Sequence, residues 1–281
     1  MQRKLIINLA PTGMVPRTSD NSAVPVVAER IARDCESCRA LGASMFHLHA
    51  REDSEDPAWR KEAYREIILA VRRRCRDAIV VVSTSGRTHG AFEQRSDVLN
   101  LDGDAKPDMA SLTLGSLNFP RQASINEPSM IKRLADAMNE RGIVPELEVF
   151  DSGMLDYAKY LIERKTLREP FYFNFLLGSL GTLSATPFNL ASLVMSLPSG
   201  AAWAAAGIGR YQFAMNSLAI VTGGHVRVGL EDNLFMDVEK TREATNPLLV
   251  ERIARLAAVA ERECATPAEA REIIGLSSRS P

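Results

Sequence analysis

Apolar residues along the chain fall into two alternating patterns. Short apolar runs, many rich in β-branched residues, cover residues 4–9, 43–49, 79–83, 109–114, 144–150, 171–177, 202–206 and 226–230. Bounded by polar or turn-forming residues, such runs read as buried strands. Between them apolar residues recur at helical spacing, as over 26–41, 59–75, 130–141 and 154–163. A helix over 247–262 follows the last run, with Asn246 as its cap and Pro247 in its first turn. Thr266 before Pro267 and Glu269 predicts one more short helix over 266–274. The third helical segment, 92–101, has the weakest pattern. Asp102-Gly103-Asp104 reads as a surface insertion and 277–281 as a loose end. Eight β/α repeats without a linker or low-complexity tract predict a single (β/α)8 TIM barrel across 1–281, its core about 4–262. The competing architecture, an open doubly wound sheet, usually has fewer strands.

Composition narrows the function classes. The 281 residues suit one barrel of roughly 250. A hydrophobic fraction of 46% and a charged fraction of 25% are those of a soluble globular protein. A net charge of −1 gives no electrostatic case for a nucleic-acid partner. The dense basic run Arg72, Arg73, Arg74 and Arg76 reads as a solvated helix face. Cys35 and Cys38 make a CxxC without the second ligand pair that a structural zinc site needs, because Cys75 and Cys264 are isolated. Four scattered cysteines fit packing in a reducing cytoplasm. No charge-free apolar stretch reaches the ~18 residues of a membrane span, so no membrane partner and no export signal are expected.

A barrel of this kind carries its active site at the carboxyl ends of its strands. The second strand ends His47-Leu48-His49, and residues two apart on a strand share a face. Two imidazoles aimed at the active end are good ligands for zinc or a similar divalent metal. A catalytic metal wants a third protein ligand. The eighth strand ends Glu231-Asp232 and adjoins the second through the first, so either carboxylate is within reach. The fifth strand reads Glu146-Leu147-Glu148, two carboxylates on one face that need cations or hydrogen bonds; Arg227 is the expected partner. The alternative for Glu146 is packing at the lower end of the core. Ser83, Ser111 and Arg87 follow strands three and four, and Gly207, Gly209 and Arg210 form a weak phosphate-loop signal after strand seven. The histidine census of His47, His49, His89 and His225 excludes amidohydrolase machinery, which recruits histidines from the middle strands. No lysine ends a strand, which disfavours a Schiff-base aldolase.

Several strings occur together in one order: Pro11-Thr12-Gly13, His47-Leu48-His49-Ala50-Arg51, Ser83-Thr84-Ser85-Gly86, Pro145-Glu146-Leu147-Glu148, Ala206-Gly207-Ile208-Gly209-Arg210, and Gly223-Gly224-His225-Val226-Arg227-Val228-Gly229 with Glu231-Asp232-Asn233. In them the chain resembles the β-keto acid cleavage enzymes from about residue 5 to 275. The resemblance implies a zinc-dependent barrel, usually a homotetramer. It would condense a β-keto acid with acetyl-CoA to give acetoacetate and an acyl-CoA. It implies His47, His49 and Glu231 as zinc ligands and Ser83, Ser111, Glu148, Arg227 and Asp232 as the polar catalytic set. Asp232 is then the candidate base for the α-carbon proton. Two other readings are a metal-dependent keto-acid aldolase or lyase that uses no CoA, and a silent metabolite-binding barrel.

Two positions bear on the substrate. Aminohexanoate-cleaving relatives carry a glutamate where Val15 stands here, so an ammonium would find no counter-ion. Ser85-Gly86-Arg87 replaces their Gly-Gly-Ala, and the Arg87 guanidinium suits a second carboxylate or the CoA phosphates.

Overall fold

The computed structural model describes residues 4–278, so the last three residues of the expected loose end, 279–281, lie outside it. Eight parallel strands close into a barrel: β1 (Ile7–Leu9), β2 (Met45–Leu48), β3 (Ile79–Val82), β4 (Met109–Thr113), β5 (Val144–Val149), β6 (Tyr172–Leu177), β7 (Ala202–Gly207) and β8 (His225–Val228). Strand β8 closes the ring on β1, with Asn8 opposite Arg227. The helices are α1 (Ala28–Ala40), α2 (Lys61–Arg74), α3 (Phe92–Ser96), α4 (Pro128–Arg141), α5 (Ser152–Glu163), α6 (Pro187–Met195), α7 (Gln212–Val221), α8 (Asn246–Val259) and α9 (Pro267–Ile274). The weak third segment is indeed short, and 3₁₀ turns at Asp97–Asn100 and Gly103–Ala105 continue it. Asp102, Gly103 and Asp104 are exposed, as expected of an insertion. An antiparallel hairpin, Leu117–Asn118 with Ala123–Ser124, rises between β4 and α4.

Strand alternation divides the apolar residues into two bodies. Ile7, Leu9, Phe46, Leu48, Val80, Val82, Leu112 and Phe173 face outward and pack with the helices. Ile6, Met45, Ile79, Val81, Met109, Tyr172 and Ala204 face inward as a separate cluster. Ala265, Ala270 and Ile274 join this inner cluster, so α9 plugs the lower mouth of the barrel. Further along the same inward faces come the buried polar residues Asn8, His47, Ser111, Glu146, Asn174 and Arg227. Most strands thus enter the barrel apolar and leave it polar, β7 with its alanines and β8 with His225 excepted, which concentrates chemistry at one end.

Two local expectations are corrected. The cap of α8 is Thr245, whose hydroxyl accepts from the Leu248 N–H. Asn246 is already inside the helix, and its buried amide accepts from the Leu230 N–H and donates to Pro11 O and Asp34. The α9 capping box of Thr266 and Glu269 forms as expected. The arginine run is not one solvated face, because consecutive helical residues point in different directions. Arg73, Arg74 and Arg76 are exposed, Arg74 in surface pairs with Glu29 and Glu36, whereas Arg72 is buried against Asp108. Cys35, Cys38 and Cys75 are buried free thiols, as packing residues should be.

Asp108 fastens the lower end. One carboxylate oxygen accepts from Arg72 at 2.7 Å and from the Val80 N–H at 2.8 Å, the other from Arg271 of α9 at 2.9 Å. Asp108→Ala leaves two buried guanidiniums without their carboxylate and is expected to cost about 3–5 kcal/mol of stability. Denaturant unfolding measures it. Because the site lies at the opposite end, the specific activity of the folded fraction should not change.

Candidate active site

At the polar end, β2 presents two ring nitrogens to the same space. His47 Nε2 lies 3.2 Å from His49 Nε2, and His49 Nε2 lies 3.2 Å from Glu231 Oε1. Ligands about 2.0–2.1 Å from one zinc at tetrahedral angles are roughly 3.3 Å apart. The three side chains therefore stand at ligand spacing and form a group able to hold a metal ion. Glu231 Oε2 is buried with no hydrogen-bond partner among the described residues. A cation is the natural partner for such an oxygen, so the donor set fits a divalent metal. Gly13 is needed for this approach. Its φ is +69°, and a Cβ there would come within 2.5 Å of Glu231 Cγ.

Arg227 organises the acids around these ligands. Its Nε donates to Asp232 Oδ2 at 3.0 Å and its Nη2 to Asp232 Oδ1 at 3.2 Å, a two-point clamp. Nη2 is also 2.7 Å from Glu231 Oε1, and Nη1 is 3.4 Å from Glu148 Oε1. Burial works to raise the Glu231 carboxyl, but Arg227 and then His49 outweigh it and hold it well below the ordinary carboxylate range. For Asp232 burial prevails over Arg227 and raises the carboxyl. Glu148 is likewise raised by burial against Arg227, while Thr113 donates to its Oε2 at 2.8 Å. Neighbouring acids of opposite tendency suit different tasks: Glu231 suits an anionic ligand, and Asp232 suits carrying a proton.

The other expected residues divide. Ser83 and His49 line one small cleft beside the ligands, with Met14, Trp59 and His89. Ser83 Oγ accepts from the Ser85 N–H, and Ser111 Oγ accepts from the Thr84 N–H, so each hydroxyl keeps its own proton to offer. The Arg87 guanidinium lies 3.3 Å above the Phe119 ring, and its Nε is buried without a hydrogen-bond partner among the described residues. Burial lowers its pKa against the pull of Glu231 and Glu148, two acids of the site. Val15 is 51% exposed, and its neighbour Met14 lines the cleft instead. The glycines after β7 serve the backbone. A Cβ at Gly207 would meet Tyr211 O at 2.1 Å, and Gly209 turns at φ +60° and donates its N–H to Asp232 O at 2.7 Å. Arg210 is exposed and bonds the Tyr211 hydroxyl.

The partners of several side chains around the site were not legible beforehand. Glu146 does not pair directly with Arg227: its Oε2 lies 2.6 Å from His47 Nδ1, and Asn8 and Asn174 donate to its Oε1. Thr113 supports Glu148 from the neighbouring strand. Phe119 reaches Arg87 from the hairpin, which no periodic pattern announces. Arg95 is buried, donates to Thr84 O and Asn126 Oδ1, and is pushed by burial down to about 10. The signal for Thr113 lay in strand parity, since it is two residues beyond Ser111.

Comparison with known proteins agrees with this geometry. The family described as beta-keto acid cleavage enzyme matches residues 4–276. The chain is 42% identical over 277 residues to a 3-keto-5-aminohexanoate cleavage enzyme of Fusobacterium nucleatum subsp. nucleatum, covering 98% of this chain and 99% of that one. It is 35% identical over 281 residues to a 3-oxoadipate:acetyl-CoA acetyltransferase of Cupriavidus necator, covering 99% and 97%. Among solved structures, apo ObcA superposes with a TM-score of 0.80 at 22% identity, covering 90% of this chain and 66% of that one; this likeness concerns the fold alone. The family match spans nearly all of the barrel and every residue of the constellation: the chain is an enzyme of the β-keto acid cleavage family.

Proposed function

We propose that the enzyme condenses a β-keto acid with acetyl-CoA, releasing acetoacetate and the CoA thioester of the remaining acyl group, at a zinc site of His47, His49 and Glu231. The observation that carries this reading is the convergence of those three ligands with the Arg227–Asp232 clamp at the open end of the barrel. Zinc, when bound, would supply Lewis-acid polarisation of the substrate ketone.

The chain's own groups supply the rest. Asp232, raised by burial and held at both oxygens by Arg227, takes a proton from the carbon between ketone and carboxylate. That carbon bonds to the thioester carbonyl of acetyl-CoA, and the CoA thiolate leaves. The thiolate then adds to the original ketone carbon, and the adjoining carbon–carbon bond breaks. Asp232 returns its proton to the departing carbon, which leaves as acetoacetate. Ser83 and Ser111 offer hydroxyl protons to substrate oxygens, and Glu148 keeps Arg227 in place. Exposed Arg210 suits a CoA phosphate; the Gly209 N–H does not, since Asp232 O already holds it.

For the substrate we favour a keto diacid, such as β-ketoglutarate or β-ketoadipate. Overall identity is higher to the aminohexanoate enzyme than to the 3-oxoadipate enzyme, yet the recognition chemistry here is cationic. Arg87 sits over the Phe119 ring with its Nε unpartnered among the described residues, which leaves a donor for a planar carboxylate. Val15 supplies no charge for an ammonium, and its exposure means that the missing counter-ion, not desolvation by valine, disfavours an amino substrate.

Among the described residues no helix is long and apolar enough to cross a membrane. The free cysteines suit a reducing compartment, and a cytoplasmic setting is part of this proposal. Phe188 and Met195 are 80% and 87% exposed on α6, seven residues apart and so on one face, and such a surface suits burial in a homotetramer. Light scattering reads that assembly directly.

The purified enzyme should carry about one zinc per chain. His47→Ala should lose metal and acetoacetate formation while remaining folded; full activity after complete chelation would overturn the metal reading. Consumption of the keto acid without acetyl-CoA would favour the lyase alternative. Asp232→Asn keeps size and removes charge, so kcat should fall by on the order of 10² or more with zinc content unchanged. A kcat within a fewfold of wild type would move the base elsewhere, to Glu148 first. Arg87→Ala should lower kcat/KM for a keto diacid by about 2 kcal/mol, roughly 30-fold, the scale of a hydrogen bond to a charged group. A neutral keto acid should be unaffected. Equal losses on both would assign Arg87 to CoA.

A further inference from the structure

Directly beneath the candidate ligands, Glu146 is 0% exposed and occupied at both oxygens. The Asn8 Nδ2 donates to Oε1 at 2.8 Å from β1, and the Asn174 Nδ2 donates to it at 3.3 Å from β6. Oε2 is left to face His47 Nδ1 at 2.6 Å. A carboxylate only accepts, so the ring nitrogen against it is the one that carries hydrogen. The neutral imidazole then has its lone pair on Nε2, the atom 3.2 Å from His49 Nε2. Arg227 Nη1, 3.4 Å from Nδ1, is itself a donor and gives that nitrogen no acceptor. Glu148, the other acid on this strand face, is engaged by Thr113 and Arg227 and does not compete for the ring.

We propose that Glu146 is a positioning residue that fixes His47 as its Nδ1–H tautomer and aims Nε2 into the ligand group. The inference rests on the metal reading of the site given above. Metal-bound histidines commonly donate their second ring N–H to a carboxylate, which fixes ring orientation and raises ligand basicity. Here the carboxylate cannot turn away, because two amides from separate strands hold its far oxygen. A packing role would not require an acid at this position. Glutamine has one acceptor oxygen and no charge: turned to His47, it faces the two asparagines with an NH₂ that only their turned-over amides would accept, and turned away it offers an N–H to Nδ1. Glu146→Gln therefore keeps the volume and removes the anion that raises ligand basicity.

The test compares wild type and Glu146→Gln by zinc competition with a chromophoric chelator, alongside the Tm of each metal-free protein. The expected result is zinc binding weaker by about 10- to 100-fold, the range for lost outer-shell partners, with metal-free Tm nearly unchanged. Affinity within twofold of wild type, with or without a lower Tm, would overturn the proposal. Since a buried substitution can prevent folding, a second measurement uses the metal-free wild-type enzyme. Its ¹⁵N-histidine spectrum, with His47 identified by loss of its signals in His47→Gln, should show the Nδ1–H tautomer. The Nε2–H tautomer there would also overturn the proposal. If wild type itself holds no zinc, the metal reading of the site fails, and the tautomer still decides what Glu146 does to His47.

Discussion

One buried guanidinium makes this site possible. Arg227 is 1% exposed and meets Asp232, Glu231 and Glu148, all within a barrel end that also encloses Glu146. Carboxylates held this close and this dry repel one another and lose hydration, so they need compensation. Arg227 supplies a single positive charge to the cluster. One oxygen of these acids, Glu231 Oε2, is left without a partner among the described residues, on the carboxylate that faces His49. The electrostatic demand of the acids and the spacing of the histidines thus point to one place. Asp232 follows from the same arrangement: the arginine that orients it also faces Glu231, so the candidate base and the candidate metal site share one side chain.

Much of this was legible because a barrel translates sequence order into space. Parity on β2 puts His47 and His49 on one face, and ring closure brings β8 within one strand of β2, so Glu231 and Asp232 could be placed from their position in the chain. The fate of Glu146 depended on register across the barrel, since its partners lie on β1, β2 and β6, and no local pattern encodes that. Thr245 and Asn246 are both good cap residues, and only the tertiary contacts of the Asn246 amide, with Pro11, Asp34 and Leu230, show which one lies inside the helix. The hairpin strands at Leu117–Asn118 and Ala123–Ser124 are too short for periodicity. Arg72 escaped a reading by composition because a run of like charges says nothing about which member the helix turns inward.

The two ends of the barrel answer to different demands. The lower mouth is closed by α9 and fastened by Asp108, with apolar residues filling the space above. The upper mouth concentrates ionisable groups that a stability criterion alone would not select. His225, although part of the signature strings, belongs to the lower part: its Nδ1 accepts from the Ile6 N–H and so tends the ring closure between β8 and β1.

Arg51 extends this logic to the rim. Its Nη1 donates to Gly13 O at 2.6 Å, its Nη2 to Pro16 O at 2.8 Å and its Nε to Glu55 O at 2.7 Å. The loops after β1 and β2 are therefore clasped to one side chain, itself rooted two residues beyond His49. Loops joined in this way swing together or not at all, and any swing drags Gly13 away from Glu231. This flank of the mouth is thus built as one piece, and the wall where Gly13 meets Glu231 is braced by a side chain that itself takes no part in the ligand group.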